Sequence, residues 1–184
     1  MGRQQTIDEK FVLDQAEALV REKGVGALTL ANVAKRAGIS KGGLQYRFET
    51  KRELVRAMLT RAFDRLDASF EAAVITLGGA SVHEIEGYVH GMLKETGSYG
   101  RPDAALFAAA FSEPDLLAEF APRYSDMLGR VKARCDSKTD AALVLLATDG
   151  LWLLEVLGLN PLTSSERERV LARLVELARA SAQR

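Results

Sequence analysis

One cysteine and two histidines in 184 residues close off several classes of protein at once. A lone Cys135 cannot build an internal disulfide framework, and the chain reads as a protein of a reducing compartment, the cytoplasm. His83 and His90 stand seven apart, two turns along one helix face, with no cysteine or acid cluster at ligand spacing. No metal site and no cofactor is therefore expected. No proline- or serine-rich linker divides the chain. The N-terminus, MGRQQTIDEK, lacks the apolar core of a secretory signal. The most apolar stretch, 141–159, carries Asp149 and Glu155. It falls short of the roughly 20 uninterrupted apolar residues of a membrane helix and reads as a buried one. Alternating runs of β-branched residues are missing as well, which predicts no sheet. Neither an internal repeat nor a low-complexity tract is present.

Net charge is lacking too, with 25 basic and 25 acidic side chains. The distribution is uneven. Residues 1–52 hold ten Lys/Arg against six Asp/Glu, a balance of +4, and 53–184 hold fifteen against nineteen, a balance of −4. Between 28 and 52 there are six basic residues and a single acid, Glu49. The footprint for a polyanion is local to the N-terminal third. What is abundant is hydrophobic residues, 47% of the chain, in keeping with a packed globular protein.

The chain is organised around 29–52, TLANVAKRAGISKGGLQYRFETKR. Thr29 is placed to cap a first helix, in which Leu30, Val33, Ala34 and Ala37 share one apolar face. Gly38 ends it, since glycine tolerates the left-handed conformation of a helix C-terminus. Ile39 plugs the corner. Ser40 caps a second helix, 41 to about 48, whose Leu44 and Phe48 stand four apart on the inner face. Gly42, Gly43, Gln45, Tyr46 and Arg47 point elsewhere. Together this is a helix-turn-helix, whose second helix can lie in the DNA major groove. An isolated Lys-Gly-Gly would read as an ordinary surface turn, with Arg47 and Lys51 as solvated charges; with all of 29–52 in register, the helix-turn-helix prevails. A nucleotide phosphate loop is rejected, because the Walker pattern is absent and no strand precedes the glycine pair.

SKGGLQYRFETKREL also resembles the recognition-helix signature of the tetracycline-repressor (TetR/AcrR) family, Ser-Lys-Gly-x-Leu-Tyr-x-His-Phe-x-x-Lys-x-x-Leu. The likeness spans roughly residues 7–60. Gln45 stands where the family often has Tyr, and Arg47 where it often has His. Both keep DNA-compatible chemistry, so the departures bear on the operator sequence rather than the activity. The resemblance implies that Ser40, Lys41, Tyr46 and Lys51 grip the DNA backbone, with Thr29 and Arg47 as further candidates. Gly42 and Gly43 let the helix approach the bases, and Gln45 is the direct reader, its amide matching adenine N6 and N7.

The expected fold is all-α: a three-helix head, 1–52, and a helical effector-binding and dimerisation body, 53–184, about nine helices in all. A polar arm, 3–6, precedes a helix from about Ile7 to Lys23 with Ile7, Phe11, Ala16, Leu19 and Val20 inward. Thr50 and Glu53 make a capping box for one long helix to about Leu77, broken by Gly78 and Gly79. This helix would join head to body and carry motion between them. Ser81 and Glu84 open the next, through Leu93; a short helix covers 104–111; and another runs from Pro114 to about Arg134, kinked or divided at Pro122. The last two span about 138–157 and, capped by Thr163 or Ser164, about 164–182.

One head covers one half-site, whereas a two-fold dimer places two heads about 34–36 Å apart on successive major grooves. The helix near 138–158 is apolar on nearly all sides (Leu143 to Leu146, Leu151, Leu153, Leu154, Leu157), so it needs partners on several faces. With the helix near 164–182 it is the expected homodimer surface; the competing reading is a central core helix in a monomer. The resemblance also implies a pocket for a small apolar or amphipathic effector. Met92, Phe107, Phe111, Tyr124, Met127 and Trp152 are candidates for an adaptable lining, although packing is the commoner fate of each aromatic. His90, Glu113 and Asp149 are candidate polar contacts. Asp149 either meets a ligand cation or is paired within the fold, the second being usual for a buried acid. Cys135 as a redox switch would need an activated thiolate.

These features predict a dimeric, ligand-responsive transcriptional regulator, a repressor, binding a palindromic double-stranded operator. The alternative is a DNA-binding architectural protein without an effector. An enzyme working through His90 or Asp149 is disfavoured, since no nucleophile–base–orienter set stands at diagnostic spacing.

Overall fold

A computed structural model of the chain describes residues 8–79, 84–94, 110 and 114–182. The expectations placed on the arm 3–6, Ile7, the Ser81 cap and the helix 104–111 lie outside the described residues. Among the described residues there is no strand. The elements are eight α-helices and one 3-10 turn: α1 Glu9–Lys23, the 3-10 turn Val25–Ala27, α2 Leu30–Ala37, α3 Lys41–Arg47, α4 Lys51–Thr76, α5 Glu84–Lys94, α6 Pro114–Ala133, α7 Lys138–Val156 and α8 Ser164–Ser181. An isolated antiparallel bridge pairs Cys135 with Ala182.

Helix boundaries follow the caps. Asp8 accepts from the amides of Lys10 (3.0 Å) and Phe11 (3.4 Å), which starts α1 at Glu9. Thr50 accepts from the Glu53 amide at 3.2 Å, while the Glu53 carboxylate reaches back to the amide of Glu49 at 2.7 Å, one residue beyond the usual box. Thr163, not Ser164, caps α8, with Glu166 closing a full capping box. Pro122 neither divides nor ends its helix, which runs unbroken from Pro114 to Ala133.

The chain forms two compact units. The first comprises Met1–Ala62 with Arg101–Ala118. Its interior holds Val12, Leu13, Ala16, Leu19 and Val20 from α1, Leu28, Val33 and Ala34, Leu44 and Phe48, and Leu54, Val55, Met58 and Leu59 from α4. Phe11 departs from expectation: it is 45% exposed. With Asp8 as cap, the inner stripe runs 12, 13, 16, 19, 20, and Phe11 falls on the side of Asp14 and Gln15. Two arginines tie this unit together. Arg36 on α2 grips Glu22 through two 2.7 Å bonds and Gln15 at 3.1 Å. Arg61 on α4 donates to the Lys10 carbonyl at 3.2 Å and to Asp14.

The second unit comprises Phe63–Gly100 with Glu119–Arg184. Phe70, Ile85, Tyr88, Val89, Met92, Met127, Val131, Val144, Leu145 and Leu174 form its buried core, with Tyr124 and Trp152 packed against it. Gly87 and Gly91 let α5 lie directly on α4. A Cβ at Gly91 would stand 2.9 Å from the Phe70 Cα, and one at Gly87 would stand 2.5 Å from the Val74 side chain. Arginine again bridges the helices. Arg123 holds Asp64 at 2.8 Å and Asp67, and it lies 5.7 Å over the Phe63 ring, itself stacked on Phe120. Arg167 joins Glu155 to the Leu93 carbonyl, and Arg179 makes a two-pronged pair with the buried Glu86 at 2.9 and 2.6 Å.

The glycine crossing yields a test. An alanine inside a helix gains about 1 kcal/mol over glycine, but backbone cannot yield to a 2.9 Å contact. Gly91→Ala should therefore lower the unfolding free energy by about 1–2 kcal/mol in urea titration. Gly129→Ala, where an added Cβ meets nothing within 4 Å, should leave it unchanged or raise it.

Candidate nucleic-acid interface and ligand site

The turn between α2 and α3 is closed by backbone geometry that the sequence encodes. Gly38 adopts φ 68°, ψ 25°. Its amide reaches the Lys35 carbonyl at 3.4 Å, and the Ile39 amide reaches that of Ala34 at 3.0 Å, a Schellman arrangement. Thr29 accepts from the Asn32 amide at 3.1 Å, and Ser40 from that of Gly43 at 3.0 Å. Both hydroxyls spend an oxygen lone pair on a helix end and keep their proton for another acceptor.

Leu44 is fully buried and Phe48 nearly so. These two side chains dictate which face of the seven-residue α3 is turned outward. Lys41, Gly42, Gln45, Tyr46 and Arg47 are exposed, Tyr46 to 90%, and Gly43 is half-buried. Lys51 is half-buried in the first turn of α4. Arg47 is not idle. It pairs with Glu9 of α1 and sits 5.9 Å over the Phe48 ring. All nine residues singled out for DNA thus lie in the first unit, on α3, at its cap or at the starts of α2 and α4.

The residues singled out for an effector are distributed differently. Met92 and Met127 are buried members of the second unit's core, and Tyr124 and Trp152 pack on it. Asp149 receives the hydroxyl protons of Tyr88 and Tyr124 on its two oxygens. Burial raises its carboxyl pKa and the two tyrosine bonds pull it back, leaving it above the ordinary aspartate range. Burial also pushes both tyrosine hydroxyls up, so they stay protonated donors. His90 stands apart from this group, 3.6 Å from Glu86. Phe107, Phe111, Glu113 and His83 lie outside the described residues. Tyr88 was not anticipated, although it sits between Ile85 and Met92 on the same helical stripe and is fully buried.

Cys135 is buried, its thiol directed at the Val131 carbonyl at 3.4 Å. Burial raises its pKa against the pull of Lys138, the reverse of thiolate activation. Among the described residues no three His, Cys, Asp or Glu side chains group as metal ligands, and no helix is long and apolar enough to cross a membrane.

A capped helix, a Schellman turn and a short second helix with a buried inner pair and a polar outer face define a helix-turn-helix DNA-binding protein. Comparison with known proteins narrows the class. Residues 12–58 match the model described as bacterial regulatory proteins, tetR family, and 83–179 match the tetracyclin repressor-like C-terminal domain. This chain belongs to the TetR family of transcriptional regulators, which is not an enzyme family. It is 26% identical over 167 residues to the HTH-type transcriptional regulator BetI of Serratia proteamaculans, covering 81% of each chain. A TetR transcription regulator from Haloarcula marismortui shares the fold at TM-score 0.72 and 18% identity, over 95% of this chain and 98% of that one. The multidrug binding protein EbrR complexed with malachite green shares it at TM-score 0.66 and 23% identity, over 91% and 98%.

The thiol environment gives a direct test. Ellman's reagent should modify native Cys135 only as fast as the protein unfolds, with full reactivity in denaturant. Rapid modification of the folded protein would contradict the burial described here.

Proposed function

We propose that this regulator is a repressor that binds a palindromic operator as a homodimer and is released by a small apolar or amphipathic effector. The observation that carries the reading is the outward face of α3, where Lys41, Gln45 and Tyr46 are exposed while Leu44 and Phe48 are buried. Residues 1–52 act as the DNA-binding head and 53–184 as the effector-binding and dimerisation body, working in the cytoplasm where the DNA is. Lys41 and Lys51, with Ser40, Tyr46, Thr29 and Arg47, contact phosphates; Gln45 reads a base across a surface that Gly42 and Gly43 keep low.

Dimerisation through α7 and α8 is supported by apolar side chains left at the surface: Leu143 (60% exposed), Leu146 (68%), Leu153 and Leu154 on α7, Leu157 at its C-cap, and Val170 on α8. Leu146, Leu153, Leu154 and Leu157 stand three, ten, eleven and fourteen residues after Leu143, on one helical stripe. Water-exposed leucines at this density mark a surface meant for covering. The effector, held among Met92, Phe107, Phe111, Tyr124, Met127, Asp149 and Trp152 with His90 nearby, must bind a released conformation more tightly than the DNA-bound one, or it shifts nothing. Support for an effector at all comes from EbrR, a multidrug binding protein of similar fold.

Selection of bound fragments from genomic DNA should return a palindrome. On that duplex, fluorescence anisotropy should show Lys41→Ala weakening every sequence and lowering the slope of log K against log salt by about 1, while Gln45→Ala relaxes a single base position in each half-site. Wild-type affinity for Lys41→Ala would overturn the interface. Leu146→Glu should leave the helical content intact and convert the dimer to a monomer in sedimentation, with loss of cooperative operator binding.

A further inference from the structure

We propose that Asp149, framed by the hydroxyls of Tyr88 and Tyr124, is the anchor for an effector that is an organic cation with a flat apolar body. This rests on the reading of the second unit as an effector site.

Three helices converge on the carboxylate. Tyr88 comes from α5, Tyr124 from α6 and Asp149 from α7, and each phenol donates to a different carboxylate oxygen. The two bonds fix the carboxylate's orientation but, being from neutral donors, leave its charge in place. In this respect Asp149 differs from three other sheltered acids of its unit. Glu86 is met by Arg179, Glu155 by Arg167 and Asp67 by Arg123. Among the described residues, no lysine, arginine or histidine reaches Asp149. A carboxylate drawn out of water without a base is costly, and the usual remedy in a fold is a fixed cation. Here the remedy is missing, and two of about four lone-pair positions remain after the phenols are served.

The surroundings select the kind of cation. On each helix a large soft side chain follows one turn along the same face: Met92 after Tyr88, Met127 after Tyr124, Trp152 after Asp149. Thioethers and aromatic rings suit a flat, polarisable, weakly hydrated ion and contribute little to a hydrated metal. A single carboxylate with two phenols that stay protonated is also a poor set for calcium or magnesium, which take several anionic or carbonyl oxygens. Anionic effectors, such as free fatty acids or phosphate esters, would face the uncompensated charge and be rejected.

The test uses the full-length protein and titration calorimetry with two flat probes of nearly one shape, proflavin, a cation at neutral pH, and its uncharged carbocyclic isostere 2,7-diaminoanthracene. Wild type should bind the cation about tenfold to a hundredfold more tightly than the neutral isostere. Asp149→Asn keeps an acceptor for the tyrosines and should erase that preference while leaving the circular dichroism spectrum unchanged. Equal affinity for the two probes, no binding of the cation, or a preference that survives Asp149→Asn would overturn the proposal. Should Asp149→Asn not fold, the wild-type comparison decides alone. Operator release is measured separately. A cation that binds through Asp149 without loosening DNA would sink the effector reading and leave this site standing. A neutral compound that releases DNA where the cation never binds would do the opposite.

Discussion

The burial of Leu44 and Phe48 is the constraint on which the DNA-binding half depends. A helix of seven residues has too few internal hydrogen bonds to persist alone, so α3 exists because its inner pair is held by the first unit's core. That same pair fixes the rotation of the helix about its axis. Once 44 and 48 point inward, 42 and 46 fall on the opposite side and 45 on the flank, while Lys41, in phase with the inner pair, is exposed because it opens the helix. The Schellman turn at Gly38–Ile39 and the Ser40 cap then fix where α3 begins. Recognition chemistry is thus positioned by apolar packing and by caps, the hydroxyls of Thr29 and Ser40 serving the helix ends as well.

In the second unit, as in the first, arginine supplements an apolar core. Arg123, Arg167 and Arg179 each join residues far apart in the chain, and in doing so they balance acids that the fold has sheltered. Glycine gives the complementary effect. Gly87 and Gly91 remove side chains where α5 meets α4, so the backbones approach closely and the Phe70 and Tyr88 rings meet edge to face at 6.3 Å. Close helix approach leaves little room for error in the core. It explains why the tyrosine next to Gly87 is fully buried and can reach across to α7.

Local signals were readable in the sequence, and long-range ones were not. The caps at Thr29, Ser40, Thr50 and Thr163, the left-handed Gly38 and the inward Leu44 and Phe48 all follow from interactions within five residues along the chain, and the structure has them. Phe11 misled because an apolar side chain was assumed to be inward, while its phase relative to Val12 and Ala16 places it on the polar side. The charge pairs were out of reach. Glu86 and Arg179 are 93 residues apart, and nothing in either neighbourhood names the other. The same holds for Tyr88 and Asp149: an acid in an apolar helix was visible, but its two phenolic partners came from helices 61 and 25 residues away. Of the candidate site, then, the outward face of α3 was legible because it is local, and the Tyr88–Asp149–Tyr124 cluster was not because it is assembled by tertiary packing.

The head's charge count needs the same correction. Six basic residues between 28 and 52 suggest a broad cationic face, but Arg36 is committed to Glu22 and Gln15 and points toward α1. Arg47 is drawn to Glu9. The two pairs differ in what DNA would have to displace. Arg36 makes three hydrogen bonds in fixed geometry, so surrendering it would loosen α2 from α1, whereas Arg47 and Glu9 are both substantially exposed and their pairing is worth little in water. In the proposed complex a phosphate can replace the Glu9 carboxylate at small cost, keeping Arg47 over the Phe48 ring as it does so. Arg47 is then a contact that is pre-oriented in the free protein by a side chain standing in for the nucleic acid. Lys41, on the exposed first turn of α3, remains the side chain whose charge is most plainly available to the duplex. A protein of zero net charge can therefore hold DNA, because the relevant quantity is the number of cations presented on one face rather than the sum over the chain.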